Sequence, residues 1–194
     1  MKFSNISGVI LAGGSGNRFG GITKANIVIN GKTIISGIIE TITDFFSEII
    51  IVTNTPEEFG EYSRFKIVGD QFLNIGPLGG IHAALKASTC EAAFVFAGDM
   101  PRLDRKIINR QLEYFQSHKC EVVIPAVARN IEPLHAIYRL SVLKKMEDYL
   151  TGDNNYAVRD FIDRLDVNYL QFEETDETNN AFTNINSPSD IPFS

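Results

Sequence analysis

The feature that most constrains the fold is a series of short, almost continuously apolar segments that recurs along the chain. These segments are rich in β-branched and aromatic residues and cover residues 7–12, 48–53, 65–70, 92–97 and 121–125. Stretches with helical spacing lie between them, such as the one from Ile34 to Phe46 and the one that follows the N-cap candidate Asp104. Strands that are apolar throughout are typical of a parallel sheet covered on both faces. The sequence therefore predicts an α/β fold, with a doubly wound, mostly parallel sheet and helices on both faces.

The second half of the chain is less regular. Its pattern predicts strands at 134–138 and 166–172, helices at 142–150 and 156–165, and an exposed polar loop at 173–180. With 194 residues, 44% of them hydrophobic, the chain can bury one good core but is short for two ordinary domains. We therefore expect a single domain over residues 1–194.

Composition argues against several classes of function. The 18 Lys and Arg residues are outnumbered by 24 Asp and Glu residues, and the net charge of -6 disfavours a nucleic-acid-binding surface. No apolar run approaches the roughly 20 residues that span a bilayer, and the N-terminus lacks the pattern of a signal peptide. Cys90 and Cys120 are isolated, which predicts buried thiols in a reducing compartment. We expect a cytoplasmic protein that binds neither nucleic acid nor membranes.

A glycine-rich loop follows the first predicted strand, where ligands bind in open parallel sheets. It reads LAGGSGNRFGG from Leu11 to Gly21 and continues ITK to Lys24. Glycines allow backbone N–H groups to approach phosphate oxygens closely, and Arg18 and Lys24 concentrate positive charge in an acidic protein. This cluster predicts a polyphosphate site, against the alternative of a flexible turn with solvated basic residues.

The loop departs from the dinucleotide-binding fingerprint. Gly14 and Gly16 have the right spacing, but the third glycine, Gly20, comes one position late. The second strand ends at Asn54, where a dinucleotide-binding protein would have an acidic residue that binds the ribose. A nicotinamide-dependent dehydrogenase is therefore disfavoured.

A second phosphate-binding motif is only partial. Gly31, Lys32 and Thr33 resemble the end of a P-loop, but Asn26 replaces the glycine that should precede them by five residues. Asn30 and Gly31 together form a strong hairpin signal. We therefore predict a β-turn here.

Two carboxylates follow predicted strands at the same edge of the sheet. Asp70 comes after Gly69 at the exit of the third strand, and Asp99 comes after Gly98 at the exit of the fourth. Mg²⁺ prefers one or two carboxylates together with phosphate oxygens. Asp99 is the first candidate for a metal ligand, although an Asp near a proline also favours a simple turn.

The remaining motifs do not indicate another chemistry. Residues 76–85 form a tight glycine-containing loop that leads into a helix, either to face a ligand or to let the helix pack closely. His82, His118 and His135 lack metal-ligand spacing, so none is assigned a catalytic role. Since no nucleophile elbow or credible Cys–His pair occurs in the sequence, covalent hydrolase chemistry has little support.

Taken together, seven fragments resemble molybdenum cofactor guanylyltransferases, in the same order and over residues 7–190. They are LAGGSGNRFGGxxK, VTN, VGDQ, GPLGGI, FAGDMP, EPLHAIY and FTNINSP. The resemblance implies a Rossmann-like fold of the nucleotide-diphospho-sugar transferase type. It also implies an enzyme that joins GMP from GTP to molybdopterin, uses Mg²⁺ and releases pyrophosphate.

The resemblance also implies roles for individual residues. The catalytic residues would be Arg18, Lys24 and Asp99, of which Asp99 would hold Mg²⁺ and the two cations would contact phosphates. The N-terminal half would bind the nucleotide through Leu11, Ala12, Gly13, Gly14, Lys24, Asn54, Asp70 and Asp99. The C-terminal half would bind the acceptor, molybdopterin, through Asn184 and Asn186.

Two positions bear on specificity and geometry. The related cytidylyltransferases usually have a second alanine where this chain has Gly13, which favours guanine. Family members often have Asp before the loop lysine, where this chain has Thr23.

The alternatives to this function are a transferase that uses CTP or a sugar 1-phosphate, and a catalytically silent nucleotide-binding regulator. The sequence leaves open whether other proteins of molybdenum cofactor biosynthesis or delivery dock on the surface.

Overall fold

A computed structural model describes residues 2–13, 22–152 and 155–191 of the chain. It contains an eight-stranded sheet and a separate two-stranded sheet. The strands are β1 (Ile6–Leu11), β2 (Val28–Ile29), β3 (Lys32–Thr33), β4 (Ile49–Val52), β5 (Lys66–Val68), β6 (Ala92–Ala97), β7 (Val122–Val127), β8 (Asn130–Ile131), β9 (His135–Arg139) and β10 (Val167–Phe172). The α-helices are α1 (Ile34–Ile42), α2 (Pro77–Ala87), α3 (Arg105–Ser117), α4 (Val142–Leu150), α5 (Val158–Ile162) and α6 (Asp176–Ala181).

The large sheet is mostly parallel, as the sequence predicts. Its strands lie in the order β10, β7, β9, β6, β1, β4, β5, and β8 pairs with β7. Strand β1 is parallel to β4 and β6, β4 is parallel to β5, and β7 is parallel to β10. Strand β9 lies between β6 and β7 and runs antiparallel to both. The carboxyl ends of β1, β4, β5 and β6 therefore meet at one edge.

Helices cover both faces of this sheet, which explains why its strands are continuously apolar. On one face α1 and α3 pack in the core that contains Ile10 and Phe94, while on the other α2 and α4 pack in the core that contains Val9 and Val95. Successive residues of a strand point to opposite faces. Because both faces are buried, nearly every position of a central strand is apolar, and the buried Ser7 of β1 donates a hydrogen bond to Glu48.

Local signals define several boundaries of these elements. The Asp104 side chain caps α3 by accepting hydrogen bonds from the backbone N–H groups of Lys106 at 2.6 Å and Ile107 at 3.0 Å, which confirms the predicted N-cap. Strands β2 and β3 form an antiparallel hairpin, in which Asn30 and Gly31 have φ angles of 51° and 78°. These left-handed angles confirm the predicted turn at the P-loop-like motif.

Residues 173–180 are exposed as predicted, apart from Thr178, but the predicted loop is wrong because most of the segment is α6. The Thr175 side chain accepts a hydrogen bond from the Thr178 backbone N–H at 3.2 Å, and acidic residues occupy the first turn. Ala181, at the end of this helix, is buried. The polar composition suggested a loop, although the segment contains an N-cap and forms a short helix whose last turn is buried against the protein.

The two cysteines are free, and the structure separates them by exposure. Cys120 is buried as predicted, whereas Cys90 is only partly buried, which corrects the prediction for that residue. Among the helices that the structure describes, none combines the length and the apolar character needed to cross a membrane.

Candidate active site

The carboxyl ends of β1, β4 and β6 and the first turn of α2 border a cavity of about 740 Å³. The predicted site residues that line it are Leu11, Ala12, Gly13, Lys24, Asn54, Asp70 and Asp99. Gly14 and Arg18, which the sequence places in the same site, lie outside the described residues. The structure therefore brings together every predicted nucleotide-binding residue that it describes.

A glycine makes this convergence possible where β1 and β6 end. The Gly98 backbone N–H donates a hydrogen bond to the Leu11 carbonyl oxygen at 3.0 Å. A Cβ at position 98 would lie 2.7 Å from that oxygen and 3.2 Å from the Ala12 Cα. Only glycine permits such a close approach, which sets Asp99 beside the start of the glycine-rich loop.

Lys24, Asp99 and Asn186 meet at the edge of this cavity. The Lys24 Nζ atom donates to the Asp99 Oδ2 atom at 2.9 Å and to the Asn186 Oδ1 atom at 3.0 Å. The Lys24 and Asp99 side chains are 27% and 21% exposed, so the pair is accessible but partly shielded from water. The Ile185 backbone N–H donates to the Asp99 carbonyl oxygen at 2.9 Å and holds the C-terminal segment in place.

The second predicted acceptor residue differs from Asn186 in its surroundings. The Asn184 Oδ1 atom is buried and has no hydrogen-bond partner among the described residues. A buried amide oxygen without a partner is unfavourable. It is therefore available to accept a hydrogen bond from a ligand that reaches it.

Asp70 and Asn54 form a different part of the cavity. The Asn54 Oδ1 atom accepts from the Asp70 backbone N–H at 2.8 Å, and the Asn54 Nδ2 atom lies 3.5 Å from the Asp70 Oδ2 atom. Burial raises the pKa of the Asp70 carboxyl, against the lowering effects of Asn54 and His82. An amide and a carboxylate together offer the donors and acceptors that a nucleoside can use.

The glycines at the start of α2 serve close packing. A Cβ at Gly79 would lie 2.7 Å from the Phe72 carbonyl oxygen and 3.3 Å from the Asp70 Oδ2 atom. A Cβ at Gly80 would lie 3.1 Å from the Leu11 Cδ2 atom, and Gly80 also lines the cavity. The close-packing interpretation of residues 76–85 is confirmed, and this packing also brings the start of α2 to the cavity.

Sequence reasoning gave no role to four polar residues of the cavity, namely Thr53, Thr55, Glu58 and Asn74, and it noted Thr23 only as a departure from the family's usual Asp. Glu58 lies in a 3₁₀ helix, Pro56–Tyr62, that follows β4. Hydrogen bonds lower the pKa of its carboxyl, the Thr23 hydroxyl having the largest effect. For Thr53, Thr55 and Glu58, the signal that could have found them is their position close to Asn54, at the exit of a strand.

Two of the histidines are buried without hydrogen bonds. The ring nitrogens of His82 and His135 have no hydrogen-bond partner among the described residues, although the His82 Nε2 atom lies 3.5 Å from the Glu147 Oε1 atom. Burial lowers the pKa of His135 to about 4, so this ring is neutral at pH 7. Neither ring lines the cavity.

A possible metal ion would rely on Asp99 and on the bound nucleotide. Among the described residues no group of three or more His, Cys, Asp or Glu side chains could hold a metal ion. Mg²⁺ does not require such a cage, because it is commonly bound by one or two carboxylates plus substrate phosphates and water. The partly exposed Asp99 carboxylate fits this mode of binding.

A mostly parallel sheet with a lysine and three carboxylates around one strand-end cavity defines a nucleotidyltransferase of the nucleotide-diphospho-sugar transferase fold. Comparison with known proteins specifies the family. A model of the MobA-like NTP transferase domain matches residues 8–168. The chain belongs to this family, and the predicted class of fold and enzyme is confirmed.

Individual relatives are similar over nearly the whole chain. A protein of Natranaerobius thermophilus named "Probable molybdenum cofactor guanylyltransferase" is 33% identical over 96% of this chain and 93% of its own length. The molybdenum cofactor guanylyltransferase of Syntrophotalea carbinolica is 31% identical over 98% of this chain and 90% of its own length. The crystal structure of molybdopterin-guanine dinucleotide biosynthesis protein A from Archaeoglobus fulgidus superimposes with a TM-score of 0.79 at 25% identity, covering 95% of this chain and 94% of that one.

Proposed function

We propose that this protein transfers GMP from GTP to the phosphate of molybdopterin, forming the guanine dinucleotide cofactor and releasing pyrophosphate. The observation that carries the proposal is the contact of Lys24 with Asp99 and Asn186, at the edge of a cavity that also contains Asn54 and Asp70. The relatives named molybdenum cofactor guanylyltransferase support the same reaction.

In this proposal the nucleotide occupies the 740 Å³ cavity. Its phosphates lie against Lys24 and the backbone of Ala12 and Gly13, and its guanosine part lies toward Asn54 and Asp70. The cavity volume is within the range of about 300–1,000 Å³ that is usual for small-molecule sites. We assign phosphate contacts also to Gly14 and Arg18 on the basis of the sequence.

The chemical step is an in-line attack by an oxygen of the molybdopterin phosphate on the α-phosphorus of GTP. The new P–O bond forms as the bond to pyrophosphate breaks. Lys24 and Arg18 stabilise the negative charge that develops on the phosphoryl oxygens and the leaving group. An ionised phosphate is already a nucleophile, so the reaction needs no general base.

Asp99 would hold Mg²⁺, which when bound supplies positive charge to the phosphate oxygens. Without a ligand the Lys24 ammonium group pairs with Asp99, so neither charge is left without a partner. Because the pair is partly exposed, separating it costs only about 1 kcal/mol or less. The two groups are therefore available to bind ligands of opposite charge.

The acceptor lies on the side of the C-terminal segment, where Asn186 contacts Lys24 and the buried amide oxygen of Asn184 has no partner among the residues that the structure describes. We treat the chain as a single nucleotidyltransferase domain whose N-terminal half binds the nucleotide and whose C-terminal half binds molybdopterin. The free cysteines fit a reducing compartment, and we place the reaction in the cytoplasm.

A pyrophosphate-release assay with purified molybdopterin tests this function, with GTP, CTP, UTP and ATP supplied in turn with Mg²⁺. We expect release with GTP and little with the other nucleotides. Release with CTP alone, or only with a sugar 1-phosphate as acceptor, would replace the proposed substrates. GTP binding without pyrophosphate release on any acceptor would indicate a silent regulator.

A further inference from the structure

Glu58 lies against the short turn that carries Lys24, although the two residues are far apart in the sequence. The Glu58 side chain comes from the 3₁₀ helix Pro56–Tyr62, which follows β4. Lys24 begins another 3₁₀ helix, Lys24–Asn26, which follows the glycine-rich loop. Both side chains line the same cavity.

The Glu58 carboxylate binds this turn on both sides of Lys24. Its Oε2 atom accepts from the Thr23 backbone N–H at 3.3 Å and from the Asn26 Nδ2 atom at 3.3 Å. The turn itself is closed by the Asn26 backbone N–H, which donates to the Thr23 carbonyl oxygen at 2.8 Å. One carboxylate oxygen therefore connects the residue before Lys24 with the end of its turn.

The hydroxyl groups of Thr23 and Thr55 also donate hydrogen bonds to this carboxylate, and they belong to a row of three hydroxyls. The Thr23 Oγ1 atom lies 3.5 Å from the Thr55 Oγ1 atom, which lies 3.2 Å from the Thr53 Oγ1 atom. Thr23 is buried, with 6% of its surface exposed. An ionised carboxylate is an acceptor only, so it suits a place surrounded by hydroxyl and N–H donors.

We propose that Glu58 is a positioning residue that fixes the turn from Thr23 to Asn26 and so places the Lys24 ammonium group at the reacting phosphates. The inference rests on the proposed function of Lys24. Glu58 acts on the reaction through Lys24 and makes no contact of its own with the nucleotide or the metal.

The contact distances limit the size of the effect. Each N–H contact to Glu58 is longer than the usual 2.7–3.2 Å, so each alone is weak. Their loss displaces the lysine without removing its charge. We therefore expect a decrease in kcat/KM of about tenfold, well below the loss caused by removing Lys24 itself.

Glu58→Gln tests the role with little change in size, and Glu57→Gln is the matched control. Glu57 is the neighbouring residue in the same 3₁₀ helix, and its side chain is exposed and outside the cavity. We expect Glu58→Gln to lower kcat/KM for GTP about tenfold, and Glu57→Gln to leave it unchanged. Equal activity in the two variants would overturn the proposal.

A double-mutant cycle with Lys24→Ala separates positioning from direct action. If Glu58 acts only through Lys24, adding Glu58→Gln to Lys24→Ala causes no further loss. A further tenfold loss in the double variant would show that Glu58 contacts a substrate or metal itself, and would overturn the proposal. Thr23→Val, which removes a hydroxyl donor to Glu58, provides a second variant and should reproduce the Glu58→Gln loss without adding to it.

Binding of GTP distinguishes failure of this inference from failure of the proposed function. If the wild-type protein released no pyrophosphate, the proposed function would fail, but the same cycle can be measured with GTP dissociation constants. Weaker binding in Glu58→Gln that disappears in the Lys24→Ala background would still support positioning. Unchanged or additive binding losses would overturn it.

Discussion

Asp70 and Asp99 share a sequence pattern but differ in their surroundings. Each follows a glycine at the exit of a parallel strand, and both line one cavity. Asp99 contacts the ammonium group of Lys24, whereas Asp70 contacts the uncharged amide of Asn54. The strand places a carboxylate at the sheet edge, but the neighbouring side chain determines whether that carboxylate has a charged or an uncharged partner.

The positions of the two strands in the sheet explain this difference. Strand β6, which leads to Asp99, lies between β9 and β1, and the residues after it hydrogen-bond to Leu11 and to Ile185 of the C-terminal segment. Strand β5, which carries Asp70, is at the edge of the sheet and next to β4 only. In the proposed function, the centre of the sheet therefore carries the groups that act on the phosphates, and the edge carries those that contact the nucleoside.

Removal of the central carboxylate should have the largest effect. We expect Asp99→Ala to lower kcat/KM by about 10³-fold or more, because the carboxylate would hold the metal that stabilises charge in the transition state. The melting temperature should change little, since a partly exposed ion pair contributes about 1 kcal/mol or less. A pyrophosphate-release assay measures the loss of activity, and thermal unfolding measures the melting temperature. Full activity of Asp99→Ala would contradict the assignment of Asp99 as the metal ligand.

Loss of the cation should have the next largest effect. Lys24→Ala is expected to lower kcat/KM by about 10²-fold, because a positive charge near the phosphates is lost. Lys32→Ala is the control, since Lys32 is exposed, pairs with Glu40 at 2.9 Å and lies outside the cavity. Steady-state kinetics are measured on both variants. Equal losses of kcat/KM would contradict the assignment of Lys24 to the phosphates.

At the edge of the sheet the effect should be smaller and should appear in binding. Asp70→Asn is expected to raise KM for GTP about tenfold with little change in kcat, as expected for the loss of one charged hydrogen bond in recognition. A change confined to kcat would place Asp70 in the chemical step instead.

The same variant has a pH signature. Burial raises the pKa of Asp70 in the folded protein, so its ionised form is less favourable there than in the unfolded chain. Asp70→Asn should therefore be more stable than the wild type at pH 7. This advantage should shrink as pH falls through the raised pKa, where the wild-type carboxyl becomes protonated. Denaturant unfolding at several pH values measures the difference in free energy of unfolding between the two proteins. A difference that grew on acidification would contradict a raised pKa for Asp70.

The smallest effect is expected at the C-terminal segment. Asn186→Ala should raise KM for molybdopterin about three- to fivefold, because it removes one neutral hydrogen-bonding group near the lysine. Asn179→Ala, at an exposed position of α6, is the control. The two variants are compared by kinetics with varied molybdopterin at saturating GTP. A change in KM for GTP alone would show that Asn186 contacts the nucleotide and not the acceptor.

The sequence allowed the central strands and their exits to be predicted, because burial on both faces requires continuous apolar runs. Asp70 and Asp99 followed from those exits and from the resemblance to a known family. The antiparallel direction of β9 could not be predicted, since an apolar run specifies a buried strand but not its orientation.

Polar segments were harder to interpret. Residues 173–180 have the composition of a loop, yet a threonine cap and a few buried side chains suffice for a short helix. Glu58 was missed for a related reason, because its partners Thr23 and Asn26 are distant in sequence. The sequence predicted that Lys24, Asp70 and Asp99 share a site, but the packed structure was needed to show that Glu58 contacts Thr23 and Asn26.

The most direct test of the central claim is the dependence of GTP affinity on Mg²⁺ in the wild-type protein, Asp99→Asn and Asp70→Asn. If Asp99 and the nucleotide together hold the metal, Mg²⁺ should tighten GTP binding about tenfold or more in the wild type and in Asp70→Asn, but not in Asp99→Asn. An equal effect of Mg²⁺ on all three proteins would contradict a phosphate and metal site at the centre of the sheet.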